Sequence, residues 1–246
     1  MAQHEKIAFL GFGEAAQAFL KGWRSVERFS AEVAAYDIKT DHTDPVVRAA
    51  KRADYAAWNV AGAGTAVEAV TDADWVFSVV TADQAHQAAL AALPGLKRGA
   101  LVFDCDSCAP QTKQKSALEV DAAGGRYVDV AVMAPVHPRL HHTPLLIGGP
   151  HAEAGAAALR ALDMKLEIHH GPVGAASAVK MVRSVMIKGI EALVCECILT
   201  GERAGVSEAV LATLEDTFPG FDWPARSAYM LERVMTHGVR RAAEMR

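Results

Sequence analysis

Two stretches of this chain hold residues whose types and spacing point to chemistry. In IAFLGFGEAAQAFL, residues 7–20, Gly11, Gly13 and Ala16 stand as G-x-G-x-x-A between an apolar run and a helical pattern. In that setting the first glycine permits a tight turn and the second lets backbone approach a pyrophosphate. The alanine allows close helix–strand packing, and the helix start presents free N–H groups to the anion. The backbone of Gly11, Phe12, Gly13, Glu14 and Ala15 is therefore expected to line a dinucleotide. Asp37, which ends VAAYD, lies 26 residues after Gly11, a little beyond the usual spacing of about 20, and a long first helix accommodates the difference. Its carboxylate would accept hydrogen bonds from the adenosine ribose and repel a 2′-phosphate, so NAD is expected. Lys39, two residues on, leaves NADP open. The second stretch is HHGPVGAASAVKMVRSVMIKG, residues 169–189, an Ala/Val/Met-rich helical pattern that carries Lys180 and Lys188, with Arg183 and Ser184 between them.

Elements must position these groups. Over the first 170 residues, the short apolar or β-branched runs KIAFLGF, AEVAAYD, DWVFSVV, GALVFDC, RYVDVAVM and PLLIGG alternate with five Ala-rich helical stretches. Such alternation predicts an α/β fold with a Rossmann-type doubly wound, mostly parallel sheet. After GPVG, residues 171–174, no further strand is expected. A helix runs from Ala175 towards Gly201, a second is SEAVLATLEDTF with Ser207 as its N-cap, and a third starts at Ala225. Residues 1–172 thus read as a dinucleotide-binding domain and 173–246 as a small all-helical C-terminal domain. Three helices make a thin core, so a homodimer formed through them is expected. The chain stops at RRAAEMR without a C-cap signal, so more helix is expected beyond it.

Bulk properties exclude other classes. A net charge of -4 and a pI near 6.2 leave no basic footprint for nucleic acid or anionic membrane. There is no run of 18 apolar residues and no signal-peptide layout at MAQHEKIAFLGFG, so a soluble, cytoplasmic protein is expected. Cys105 and Cys108 have C-x-x-C spacing, but no second pair follows at zinc-binding spacing, and small buried residues are the expected reading. His137, His141 and His142 share a loop without a carboxylate or cysteine at suitable spacing, so no metal is expected.

The order of features resembles the β-hydroxyacid dehydrogenase family, which includes 3-hydroxyisobutyrate and 6-phosphogluconate dehydrogenases. The resemblance covers nearly the whole chain and is strongest at the N-terminal fingerprint. The family pattern G-x-x-G-x-x-x-x-x-K-x-x-N-N is met at Gly171, Gly174 and Lys180, but Arg183 and Ser184 replace the two asparagines. The resemblance implies that Lys180 is the general acid/base of a hydride transfer to or from nicotinamide. A lysine serves that purpose if burial and the cationic ring lower its pKa from about 10.4. Ser184, one turn along, and Arg183, able to hold a carboxylate bidentately, would contact substrate. FDCDSCAP resembles the family's D-x-S-[ST]-x-x-P loop and places Ser107 near nicotinamide and substrate. VVTADQ places Val80 and Thr81 near the cofactor.

The match weakens at the substrate loop, VDVAVMAPVHPRLHHTPLLIGG. Asp129 and Gly148–Gly149 are kept, but Val132, Met133 and Ala134 stand where the family has Ser-Gly-Gly. Met133 and Ala134 are then substrate-contacting positions, and a bulkier or less charged substrate is expected. In RVMTHGVRRAAEM, His237 takes the place of a family lysine that reaches the substrate. The expectation is an NAD(P)-dependent oxidoreductase acting on a small β-hydroxy acid or related hydroxy/carbonyl compound. The altered positions keep open an imine reductase, or a dinucleotide-binding regulatory protein that has lost catalysis. Lys188 has no family counterpart and is read as a surface residue.

Overall fold

A computed structural model describes residues 5–243; for His237 and residues 239–243 only the helical backbone is described. The chain divides into two compact units, Met1–Lys180 and Met181–Arg246. In the first unit the apolar runs become strands β1 (Lys6–Leu10), β2 (Glu32–Tyr36), β3 (Ala61–Gly62), β4 (Trp75–Ser78), β5 (Leu101–Asp104), β6 (Arg126–Val132), β7 (Leu145–Gly148) and β8 (Leu166–Ile168). They form one sheet in the order β3-β2-β1-β4-β5-β6-β7-β8. All neighbours pair in parallel except β6 with β7. The expected doubly wound architecture is present. The sheet changes direction of growth between β1 and β4, and in such sheets that crevice is where ligands bind.

Every residue of β4 and β5 is buried, as strands covered on both faces require. One face carries Phe9, Phe77 and Phe103, packed with Phe12, Phe19 and Trp23. Ring centroids are 5.0 Å apart for Trp23–Phe77 and 4.6 Å for Phe77–Phe103. The other face carries Leu10, Val76, Val102 and Tyr127. Burying each such side chain stabilises the unit by about 1.5–3 kcal/mol, and the rigid platform fixes the strand ends.

The helices of this unit are α1 (Glu14–Trp23), α2 (Pro45–Ala57), α3 (Ala66–Val70), α4 (Ala85–Ala92), α5 (Pro110–Ala122) and α6 (Ala152–Ala161). Local chemistry sets their starts. Asp44 accepts from Val46 N ahead of Pro45 at the first helical position, and Thr65 accepts from Glu68 N. Elements β3, β8 and α3 were not expected from sequence, being two, three and five residues long, too short to show a period.

Helix α7 (Ala175–Ala204) starts in the first unit and continues into the second, which also holds α8 (Ser207–Thr217) and α9 (Trp223–Ala243). Ser207 is not the N-cap: Val206 holds that position, and Ser207 is the first helical residue. Its Cβ and hydroxyl pack on Gly201 instead. Within the second unit Arg233 Nε lies 3.0 Å from Glu191 Oε1, a buried carboxylate. Among the described residues no helix is long and apolar enough to cross a membrane.

Candidate active site

The turn after β1 is built for a close backbone approach. Gly11 has φ +83°, and a Cβ there would stand 2.9 Å from Val79 O and 3.0 Å from Val80 Cγ1 at the exit of β4. Gly11 N donates to Tyr36 O at 2.8 Å, which ties the turn to β2. At Gly13 a Cβ would meet nothing within 4 Å, and Gly13 opens α1 without a side-chain cap. That open space before an uncapped helix start suits a pyrophosphate. Phe12 turns its ring fully into the core and leaves only backbone at the turn. Glu14 is exposed and Ala15 half-buried on the first turn of α1.

Asp37 does two jobs at the end of β2. Its Oδ2 accepts from Phe12 N at 2.9 Å and its Oδ1 from Lys39 N at 3.0 Å. A carboxylate has about four lone-pair sites, so acceptor capacity remains for ribose hydroxyls. Lys51, which sequence reading missed, lies buried beneath the turn. Its Nζ donates to Phe12 O at 2.9 Å and to Asp54 Oδ2 at 2.8 Å, and stands 3.9 Å from Asp37 Oδ2. Val80 is half-buried and Thr81 exposed. Val80 N donates to Asp106 Oδ1 at 2.6 Å, and Ser78 Oγ lies 2.6 Å from Asp106 Oδ2. Asp106 thus joins the exits of β4 and β5, and burial together with Asp104 pushes its carboxyl well above the usual range.

A buried charge network lies under the Ser107 loop. Lys113, with 0% exposure, donates to Asp104 O at 2.7 Å and Val130 O at 2.9 Å. Its Nζ also stands 3.2 Å from Asp129 Oδ1 and 3.4 Å from Asp104 Oδ1. Burial opposes the ammonium charge, but Asp104 and Asp129 outweigh it and hold Lys113 above the ordinary lysine range. Tyr127 OH bonds Asp104 Oδ2; burial and that carboxylate raise the phenol. Asp129 Oδ2 accepts from Gly174 N at 2.9 Å and Ser177 N at 3.3 Å, while Oδ1 accepts from Ser177 Oγ at 2.6 Å. A carboxylate on β6 therefore caps the first turn of α7, where the helix dipole favours an anion. Gly174, at φ +93°, lets Pro110 pack against that turn.

One turn beyond Ser177 on α7, Lys180 is half-buried and its Nζ donates to Ser107 Oγ at 2.7 Å. Sequence-remote groups thus converge: the amino group of a lysine, a hydroxyl from the loop after β5, and the Asp129 cap on the helix that carries the lysine. Cys105 and Cys108 flank Ser107 as buried free thiols. Burial raises both, Cys108 to about 12, so neither is a thiolate at neutral pH.

Met133 and Ala134 are half-buried at the exit of β6. Met133 N bonds Pro144 O at 2.9 Å. Arg183 is exposed, and Ser184 and Lys188 half-buried, on the part of α7 that belongs to the second unit. The side chain of His237 lies outside the described residues. Lys51, Asp106, Lys113 and Ser177 escaped sequence reading. Lys113 alone carried a signal: with Ser116, Ala117 and Val120 it completes the buried stripe of α5, where a lysine is rare unless paired.

Residues 6–163 match the family of the NAD binding domain of 6-phosphogluconate dehydrogenase. Residues 202–246 match DUF1932, a domain of unknown function. The 3-hydroxyisobutyrate dehydrogenase of Pseudomonas aeruginosa PAO1 is 28% identical over 224 residues, covering 88% of this chain and 71% of that protein. The crystal structure of a conserved hypothetical protein from Sinorhizobium meliloti 1021 is 40% identical with a TM-score of 0.75, covering 99% of this chain and 80% of that one. An imine reductase from Myxococcus stipitatus in complex with NADP+ has the same fold at 20% identity, with a TM-score of 0.69 over 95% of this chain and 78% of that one.

Proposed function

The chain belongs to the β-hydroxyacid dehydrogenase family, a family of NAD(P)-dependent oxidoreductases, through the NAD-binding domain that residues 6–163 carry, and we propose that it oxidises a small β-hydroxy acid or related hydroxy compound, or reduces the matching carbonyl, with Lys180 as general acid/base. The observation that carries this reading is the 2.7 Å contact of Lys180 Nζ with Ser107 Oγ. It sits on a helix start clamped by Asp129.

The backbone of Gly11, Phe12, Gly13, Glu14 and Ala15 would hold the pyrophosphate, Asp37 the adenosine ribose, and Val80 and Thr81 the wall of the same cleft. When bound, nicotinamide supplies a site that accepts or returns hydride. As the neutral amine, Lys180 Nζ would take the hydroxyl proton in oxidation and become the ammonium; as the ammonium it would give the proton back in reduction. Ser107 Oγ, already its partner, orients it and contacts substrate. By the family resemblance, Met133 and Ala134 hold substrate-contacting positions where the family has hydroxyl and glycine backbone, and Arg183, Ser184 and His237 hold further positions that the family pattern assigns to substrate. Asp37 favours NAD over NADP through charge repulsion with a 2′-phosphate.

Apolar Met133 and Ala134 also favour a second reading, reduction of an imine, whose substrate lacks a carboxylate to be held. The exposed apolar side chains Val182, Val185, Met186 and Leu193 on α7 support a homodimer through residues 173–246. The test is cofactor turnover by the purified protein, with NAD+ and NADP+ against small β-hydroxy acids and with the reduced cofactors against cyclic imines. Turnover of a hydroxy acid with NAD+ is expected. Cofactor binding without turnover in either panel would leave the non-catalytic reading standing in its place.

A further inference from the structure

Away from the cofactor cleft, the 3-10 turn Leu140–His142 between β6 and β7 brings two imidazoles to one carboxylate. His142 Nε2 lies 3.0 Å and His141 Nε2 3.6 Å from Asp163 Oδ2. One ligand atom from each of the three residues lies within 4.8 Å of the others. His141 is 4% exposed, yet neither of its ring nitrogens has a hydrogen-bond partner. A buried polar atom left so is unfavourable until a ligand satisfies it. Space for the ring comes from Gly22 of α1, where a Cβ would stand 2.0 Å from His141 Nδ1. Asp163 follows α6 at φ +55°, a position where glycine or asparagine is the usual residue.

Zinc-class ions bind imidazole nitrogen and carboxylate oxygen at about 2.0–2.2 Å, which sets tetrahedral ligand atoms roughly 3.3 Å apart. The separations of 3.0 and 3.6 Å lie on either side of that spacing. Two imidazoles and one carboxylate suit a borderline transition metal and not calcium or magnesium, which take oxygen ligands. We propose that His141, His142 and Asp163 bind a divalent transition-metal ion of the zinc class, with the fourth position taken by water. Access is from solvent, since Asp163 is exposed and His142 half-buried. The ion would tie the β6–β7 loop, which also carries Met133 and Ala134, to the turn between α6 and β8.

The test is titration of the chelator-stripped full chain with Co2+. One equivalent should bind, with visible d–d absorption and no thiolate charge-transfer band. Asp163→Asn, which keeps a residue tolerant of left-handed backbone, and His142→Ala should each weaken binding at least tenfold. NAD affinity, unchanged in both, reports that the fold is intact. Absence of stoichiometric binding would overturn the proposal and leave a hydrogen-bonded His142–Asp163 pair. Binding that survives both substitutions, or a thiolate band that points to the cysteines, would overturn it as well.

Discussion

Lys113 shows how far a single residue can carry the site without touching substrate. Its ammonium lies between Asp104 and Asp129 with no exposure to water. Lys113→Met leaves two carboxylates buried without their cation, and a loss of about 3–5 kcal/mol is expected, read as a lower urea midpoint. Thiol chemistry supplies a second prediction at this scale. Burial raises Cys105 and Cys108, so both should resist alkylation at pH 8 until denaturant is added; mass spectrometry of the native protein reads this. Rapid native labelling of Cys108 would contradict its burial. Gly11, Gly13, Asp37, Ser107 and Lys180 could be singled out as candidates in the sequence because each stands in a local pattern. Asp106 and Lys51 could not, because their partners arrive from other segments, Phe12 for Lys51 and Val80 for Asp106; Lys113 showed only its place in the buried stripe of α5, its partners Val130 and Asp129 coming from β6. The same holds for Asp163, 21 residues from His142.

At the scale of elements, the join between β6 and α7 decides where Lys180 stands. Ser177→Ala removes a hydroxyl that donates to the Asp129 carboxylate at 2.6 Å. A loss of about 1.5–3 kcal/mol is expected for a charge-assisted bond. If the clamp positions Lys180, kcat should fall while NAD affinity is kept; a fall in affinity alone would place Ser177 elsewhere in function. Asp74, ahead of β4, ties the sheet's lower loops together. Burial pushes its carboxyl up, but Lys97 Nζ at 2.5 Å and Lys6 N at 3.1 Å outweigh burial and hold it below the usual range. With the folded pKa depressed, its stabilisation is present above the unfolded value of about 3.9 and is lost as pH falls through the folded value. The stability gap between wild type and Asp74→Asn should therefore be open at pH 7 and close in acid, as urea melts across pH would show. Strand and helix order was legible from apolar runs, whereas β3 and β8 depend on an existing sheet edge for their pairing. The start of α8 was misread because Ser207 finds Gly201 to pack against.

For the whole molecule, the open question at sequence level was how a three-helix segment buries enough apolar surface. Val182 is 73% and Leu193 71% exposed on α7, and covering such side chains in a second copy would contribute about 1.5–3 kcal/mol each. Sedimentation should find a dimer, and Val182→Glu with Met186→Glu should shift it towards monomer. A wild-type monomer at all concentrations would remove that expectation. Fold class and family were legible because the fingerprint and hinge lie in order along the chain. Substrate was not, because Met133, Ala134, Arg183 and Ser184 depart from the family pattern at the positions proposed to contact it. The most direct test of the account is the turnover of Lys180→Ala beside its NAD dissociation constant. A fall in kcat of about 10²–10⁴-fold with NAD affinity unchanged is expected. Undiminished kcat in Lys180→Ala would contradict it.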